Sequence, residues 1–189
     1  MELITWATIL LCVYAAIAFI DGIIIHLCAL GLHATPETRG EHALHSVRAA
    51  LFAAALPLLF VFEVSGWLLW LGVGLILIDF GIGFWDAWIE RDARAKMGGL
   101  GRAEYVVHVA ASVIHGAMAS LAIASRPIEA WSADAAPILG GFLAHGEFVK
   151  MWVLPGSVMI AIAHFALMLP KLRELGCPVR MQCCVPGRG

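Results

Sequence analysis

Apolar residues fall into five long runs separated by short polar stretches. The first, about 4–32, is long enough for a tilted crossing of a hydrocarbon core roughly 30 Å thick. Thr35-Pro36 combines a good N-cap with a proline suited to the first helical turn, so a second helix is expected to begin at Pro36, ahead of the membrane, and run over about 36–64. That start places Glu37, Glu41, His42 and His45 on a helix. Ser65-Gly66 predicts a tight turn into a third span, about 67–89. The charged, glycine-punctuated segment Glu90 to Glu104 reads as a loop, followed by a fourth span at about 104–125. Arg126 to Lys150 form a longer connection, expected to lie partly in the interface because Trp131 and Phe142 flank polar residues. A fifth span, about 151–170, ends at Pro170-Lys171. The pattern predicts an all-α, polytopic integral membrane protein: one transmembrane domain over 1–175 and a tail over 176–189, with no internal repeat.

Composition agrees. Of 189 residues 61% are hydrophobic and 14% charged, where soluble domains have about 45–50% and 25%. Bilayer solvent accounts for the excess, since a lipid-facing helix needs no polar face. Met1-Glu2-Leu3-Ile4 lacks the positive segment of a cleavable signal, so the first span is expected to be retained. Arg39 and Arg48 flank the first loop, Arg91, Arg94, Lys96 and Arg102 fill the third, and Lys171, Arg173, Arg180 and Arg188 lie in the tail, against Arg126 and Lys150 on the other side. The positive-inside rule then predicts the N-terminus outside and the C-terminus cytoplasmic, in a membrane of the bacterial inner type. Trp6, Trp67, Trp88 and Trp152 are interface anchors. No basic stripe points to nucleic acid. Cys12 and Cys28 lie in the first run; Cys177, Cys183 and Cys184 are expected to be free thiols of the tail.

Ionisable residues inside spans are costly, and their arrangement here is ordered. At about 100° per residue, His26 and His33 are nearly eclipsed on the first helix. Glu37, Glu41 and His45 form an i, i+4, i+8 ladder on the second, with His42 beside Glu41. Asp79, Asp86 and Glu90 share a face of the third, and Glu104, His108 and His115 a face of the fourth. At about 1.5 Å per residue, Asp79 lies roughly 16 Å from Glu90 and His26 roughly 10 Å from His33. Four helices are thus expected to bring imidazoles and carboxylates to overlapping depth in the cytoplasmic half of the bilayer. Asp21, about 140° from the His26 face in an α-helix, is expected to be a pairing or packing residue and not a ligand. Arg91, Asp92, Arg94 and Lys96 read as a charged loop, Arg48 as a candidate counter-charge for surplus carboxylate, Glu63 as a solvated residue, and His145 and His164 as packing residues.

The acids within the spans outnumber the bases, and cations would supply the missing positive charge. A mixed His/carboxylate set without thiolates suits iron, manganese or zinc. The number of donors fits two metal ions, most simply iron, in the manner of carboxylate-bridged helical bundles. The expected metal residues are His26, His33, Glu37, Glu41, His42, His45, Asp79, Asp86, Glu90, Glu104, His108 and His115, with His26, Asp79, Glu37 and His42 as the remaining ligands or their supports. The Glu41-His42-Ala43-Leu44-His45 segment, with His108 and His115 on another helix, loosely resembles histidine-box membrane di-iron hydroxylases and desaturases. The resemblance is confined to the type of site, since the paired HxxHH boxes of those enzymes are absent and the order differs from the HExxH of zincins. A metal pair in the cytoplasmic half of the bilayer is expected to activate oxygen on a lipid-soluble substrate arriving laterally, and its position suits electron delivery by a soluble cytoplasmic donor. Three other functions use the same residues: a metal-ion transporter or sensor, a dizinc hydrolase, and a b-type cytochrome ligated by His26 or His33 against His108 or His115.

Overall fold

The computed structural model describes residues 2–137 and 139–173. The tail cysteines Cys177, Cys183 and Cys184, and the domain boundary beyond residue 175, lie outside the described residues. Five helices are long and apolar enough to span a membrane: α1 (Leu3–Ala29), α2 (Pro36–Val61), α3 (Trp67–Ala93), α4 (Arg102–Ala124) and α5 (Gly146–Met168). The chain is therefore described as an integral membrane protein. Two short strands, β1 (Phe62–Val64) and β2 (Leu139–Phe142), pair antiparallel with Phe62 opposite Phe142. The chain is mostly helical with the five spans expected, and the two short strands are an addition to that pattern. They follow the apolar end of α2 and lie in the connection after α4, where the backbone has left helical geometry and its N–H and C=O groups need other partners.

Three helices depart from α geometry, each in a definable place. α1 is α-helical through Phe19 and π-helical over Ile20–Ala29. α2 opens with a 3-10 turn at Pro36–Thr38 and widens to π at Pro57–Val61. Pro57 has no N–H to give the preceding turn. Arg126 answers the carbonyls displaced at this end, donating from Nη2 to Leu58 and Leu59 and from Nη1 to Phe62. Its burial pushes the guanidinium pKa down to about 10, which leaves it charged at neutral pH. α5 has a π turn at Val149–Val153. Thr35 makes no side-chain cap; Thr38 Oγ1 instead donates to the Leu32 and Thr35 carbonyls and fastens the loop beneath α2.

α1 packs along α4, while α2 lies between α3 and α5. The two groups meet closely at the end carrying the strands, here called the strand end. Leu11, Leu56, Leu59, Phe60, Leu69 and Met118 form a fully buried apolar core there. Gly72 permits the contact of α3 with α2, because a Cβ on it would stand 3.0 Å from Leu58 Cβ and 3.1 Å from Leu59 Cδ2. Gly66 makes the turn into α3 at φ 59°, with the Ala135 carbonyl where a side chain would begin. At the opposite, charged end buried imidazoles, carboxylates and arginine side chains take the place of the apolar core.

Candidate metal centre

Residues from four helices converge at the charged end. His26 of α1 reaches it through the π segment; Glu41 and His45 come from α2, Asp86 and Glu90 from α3, and Glu104 and His108 from α4. Ligand-type atoms of His26, Glu90, Glu104 and His108 lie within 4.8 Å of one another, as do those of His26, Glu41 and His45. His26 belongs to both groups, so the two candidate subsites are contiguous.

Three of the close distances form a triangle that includes an unexpected corner. His26 Nε2 is 3.2 Å from His108 Nε2, and Asp21 Oδ1 is 3.5 Å from the first and 3.1 Å from the second. Sequence reasoning placed Asp21 off the His26 face because it assumed α periodicity. In a π-helix, residues five apart fall on the same side, so Asp21 and His26 face the cluster together. Glu104 Oε1 is 3.4 Å from His26 Nε2, and Glu90 Oε1 is 3.3 Å from His108 Nδ1. On the other side, His45 Nε2 is 3.2 Å from Asp86 Oδ2 and 4.0 Å from Glu41 Oε1. Despite these separations, Asp21 Oδ1, His45 Nε2 and Glu90 Oε1 are buried without a hydrogen bond of acceptable geometry. Donor atoms held about 2.0–2.2 Å from a shared cation stand roughly 3 Å apart, which matches the triangle.

Two arginines complete the cluster. Arg94, expected in a solvated loop, is 1% exposed and caps α3 from inside. Its Nη2 donates to Glu41 Oε1 at 2.6 Å and Glu104 Oε1 at 2.9 Å, and its Nε donates to both oxygens of Glu41. Glu90 Oε1 is 3.8 Å away. Burial opposes the charge of Arg94, but the surrounding Glu41, Glu104 and Glu90 carboxylates outweigh it and raise its pKa. The loop expectation failed because a short run of charges reads alike whether it faces water or turns inward. Arg48 is the counter-charge expected for it: Nε donates to Asp79 Oδ1 at 3.0 Å, and Nη1 is 3.8 Å from Asp86 Oδ2. Gly83 makes room for that guanidinium, since a Cβ there would stand 3.2 Å from it.

The remaining expected ligands are elsewhere. Asp79 and His115 sit deeper, with His115 Nδ1 3.5 Å from Asp79 Oδ2 and its ring stacked 4.6 Å from Tyr14. His42 points away from Glu41, as adjacent helical residues must, and its Nε2 donates to the His164 carbonyl at 3.2 Å. His33, His42 and His164 form a separate row of rings with centroids 5.8 and 5.2 Å apart. Burial, with Arg173 nearby, lowers the pKa of His33, which is a neutral imidazole at pH 7. Glu37 pairs with Lys96 at the surface, 2.7 Å away, because the 3-10 turn breaks the expected ladder. His145 lies at the strand end beside Thr5 Oγ1, 3.2 Å from it. Glu63 is exposed as expected.

A cavity of about 460 Å³ adjoins the cluster. Asp21, His45, Asp86, Glu90 and His108 form its polar end, with Asp79, His115 and Arg48 alongside; apolar residues of α1 and α5 line most of the rest. No family model matches the chain, and neither a curated protein nor a solved structure matches it.

Proposed function

We propose that this chain is a membrane-embedded metalloenzyme whose dinuclear His/carboxylate centre oxidises a lipid-soluble substrate. The observation that carries this reading is the triangle of His26, His108 and Asp21: the two imidazoles are within hydrogen-bond distance of one another, the three atoms stand at ligand-to-ligand spacing, and Asp21 Oδ1 is buried without a hydrogen bond. Two histidines and one carboxylate on one face of an ion, with other positions open, are the donor set of non-haem iron oxygenases. Glu104 and Glu90 border this first subsite. His45, Asp86 and Glu41 border the second, and His26 stands between them.

Charge supports two cations. Among the described residues, Asp21, Glu41, Asp79, Asp86, Glu90 and Glu104 face two guanidiniums, Arg48 and Arg94, an excess of four negative charges if the imidazoles are neutral, which two divalent ions would balance. Iron is the proposed metal, with manganese and zinc compatible with the donors. Bound iron would supply oxygen activation. The protein's part is to hold the donors, to orient Glu41 and Glu104 through Arg94, and to open an apolar cavity onto them. Orientation with the cluster in the cytoplasmic half, as the distribution of Lys and Arg suggests, would give a soluble electron donor access.

The other functions fit less well. A transporter needs a path, whereas beyond Asp79 and His115 the strand end is filled by the apolar core. A porphyrin needs free space beside its histidines, whereas carboxylates lie 3.1–3.5 Å from His26 and His108. A dizinc hydrolase keeps the donors and changes the chemistry. Metal analysis with an optical spectrum of the purified protein separates these: two irons without a Soret band support the proposal, a Soret band indicates a cytochrome, and zinc a hydrolase. His108→Ala is expected to remove most bound metal and His145→Ala none. Equal metal content in both variants would exclude His108 from the centre.

A further inference from the structure

We infer that the cavity is the binding site of an uncharged, single-chain amphiphile or hydrocarbon that enters sideways from the bilayer between α1 and α5. The inference rests on the metal centre proposed above as the reacting end of the cavity. α1 and α5 contribute Cys12, Ala15, Ala18 and Gly22 on one side and Gly156 and Ser157 on the other. Small residues on facing helices leave room for a chain. A Cβ at Gly156 would meet nothing within 4 Å. The cavity's volume is within the roughly 300–1,000 Å³ typical of small-molecule sites.

Three features select the occupant. Lining residues Phe19, Phe148 and Trp152 are also 48%, 45% and 70% exposed on the outside of the bundle, so the cavity opens through an aromatic edge onto the lipid-facing surface. It reaches the surface again between α3 and α4, where the lining residues Ala87 and Ser112 are exposed. An extended chain can therefore lie across the site, whereas a compact polar metabolite would meet apolar walls. The carboxylates at the polar end already balance the proposed pair of cations. A phosphate or carboxylate headgroup brought there would leave water and add net negative charge to a neutral buried centre, both unfavourable inside a membrane. An alcohol, aldehyde or unfunctionalised chain end meets neither penalty.

The test uses the full-length protein in phosphatidylcholine nanodiscs with two photoreactive probes of equal length, a hexadecanol and a hexadecanoic acid, each carrying a diazirine near its far end. Cross-links are mapped by mass spectrometry, and metal content is measured on the same samples. The expected result is hexadecanol labelling of the segments 12–22 and 148–164, competed by unlabelled hexadecanol and several-fold stronger than labelling by the acid at neutral pH. Gly156→Leu and Ala18→Phe, which fill the cavity away from the polar cluster, are expected to abolish it with metal content unchanged. Equal labelling by acid and alcohol would overturn the inference. So would labelling spread over the exterior Phe84, Trp85 and Trp88 surface, or labelling indifferent to both variants. Competed labelling in a protein that holds no metal would support the cavity and overturn the metal centre instead.

Discussion

The strand end and the charged end of this bundle are built from the same five helices and obey different rules. At the strand end Leu11, Leu56, Leu59, Leu69 and Met118 are 0–1% exposed, and apolar packing dominates. Polar side chains there, such as Arg126 and Trp70, serve mainly backbone carbonyls. At the charged end imidazoles, carboxylates and two guanidiniums are packed between the helices instead. The buried polar atoms without a hydrogen bond are concentrated there: Asp21, His26, His45, Asp79, Asp86, Glu90 and His115 each contribute one. A bundle seeking only stability would have extended the apolar core through both halves, because well-packed apolar residues commonly equal or better a buried ionic network. The second half is therefore where the fold gives up apolar packing for a buried cluster of ionisable groups, as the proposed metal centre would require.

That contrast is best tested by substitutions that affect one end and spare the other. The largest effect is expected from Arg94→Ala, which leaves Glu41 and Glu104 without their bidentate and bridging partner. Breaking a buried ionic network costs about 3–5 kcal/mol, seen as a large loss of thermal stability in detergent; a wild-type melting curve would mean the network is not structural. Leu59→Ala at the strand end is expected to cost about 2–5 kcal/mol while metal bound per folded molecule stays constant. A parallel loss of metal would mean that the two ends are not separable. Asp21→Asn keeps shape and removes charge, and is expected to weaken metal binding about 10–100-fold in a competition titration with little change in melting. Unchanged affinity would return Asp21 to a purely structural role.

The smallest effect concerns pH. His33 has its pKa lowered in the folded state, so as pH falls the unfolded chain takes up its proton first, near the ordinary histidine value of about 6.5. Its contribution is full above that value and is lost progressively as pH drops toward the folded pKa. His33→Gln should therefore lose less stability than the wild type between about pH 7.5 and 5.5. An identical pH slope would show that His33 is not buried as described.

Hydropathy alone located the spans, because a bilayer requires long apolar helices and little else competes with that signal. Convergence of His26, Glu41, His45, Asp86, Glu90, Glu104 and His108 was also legible, since residues four and seven apart on α-helices do share a face. The failures have specific physical causes. Asp21 was misplaced because 100° per residue does not hold in a π segment, and nothing in Ile20-Asp21-Gly22-Ile23 announces one. His42 was grouped with Glu41 by adjacency, though neighbours on a helix point about 100° apart. Glu37 fell outside because a 3-10 turn precedes α2. Arg94 was legible only as a charge, and its inward turn depends on three carboxylates drawn from α2, α3 and α4.

The widened segment of α1 carries a consequence for how this chain tolerates change. A π turn holds one residue more than an α turn, and such a segment can relax to ordinary helix by losing a residue. Excision of a single apolar position between Asp21 and His26 would therefore leave the span helical and able to insert, with the aspartate and the imidazole four residues apart and still on one face. Tightening Ile20–Ala29 to α geometry with no residue removed would instead set the two about 140° apart, so the widened turn is what lets an acid and a base five residues apart meet at the same point.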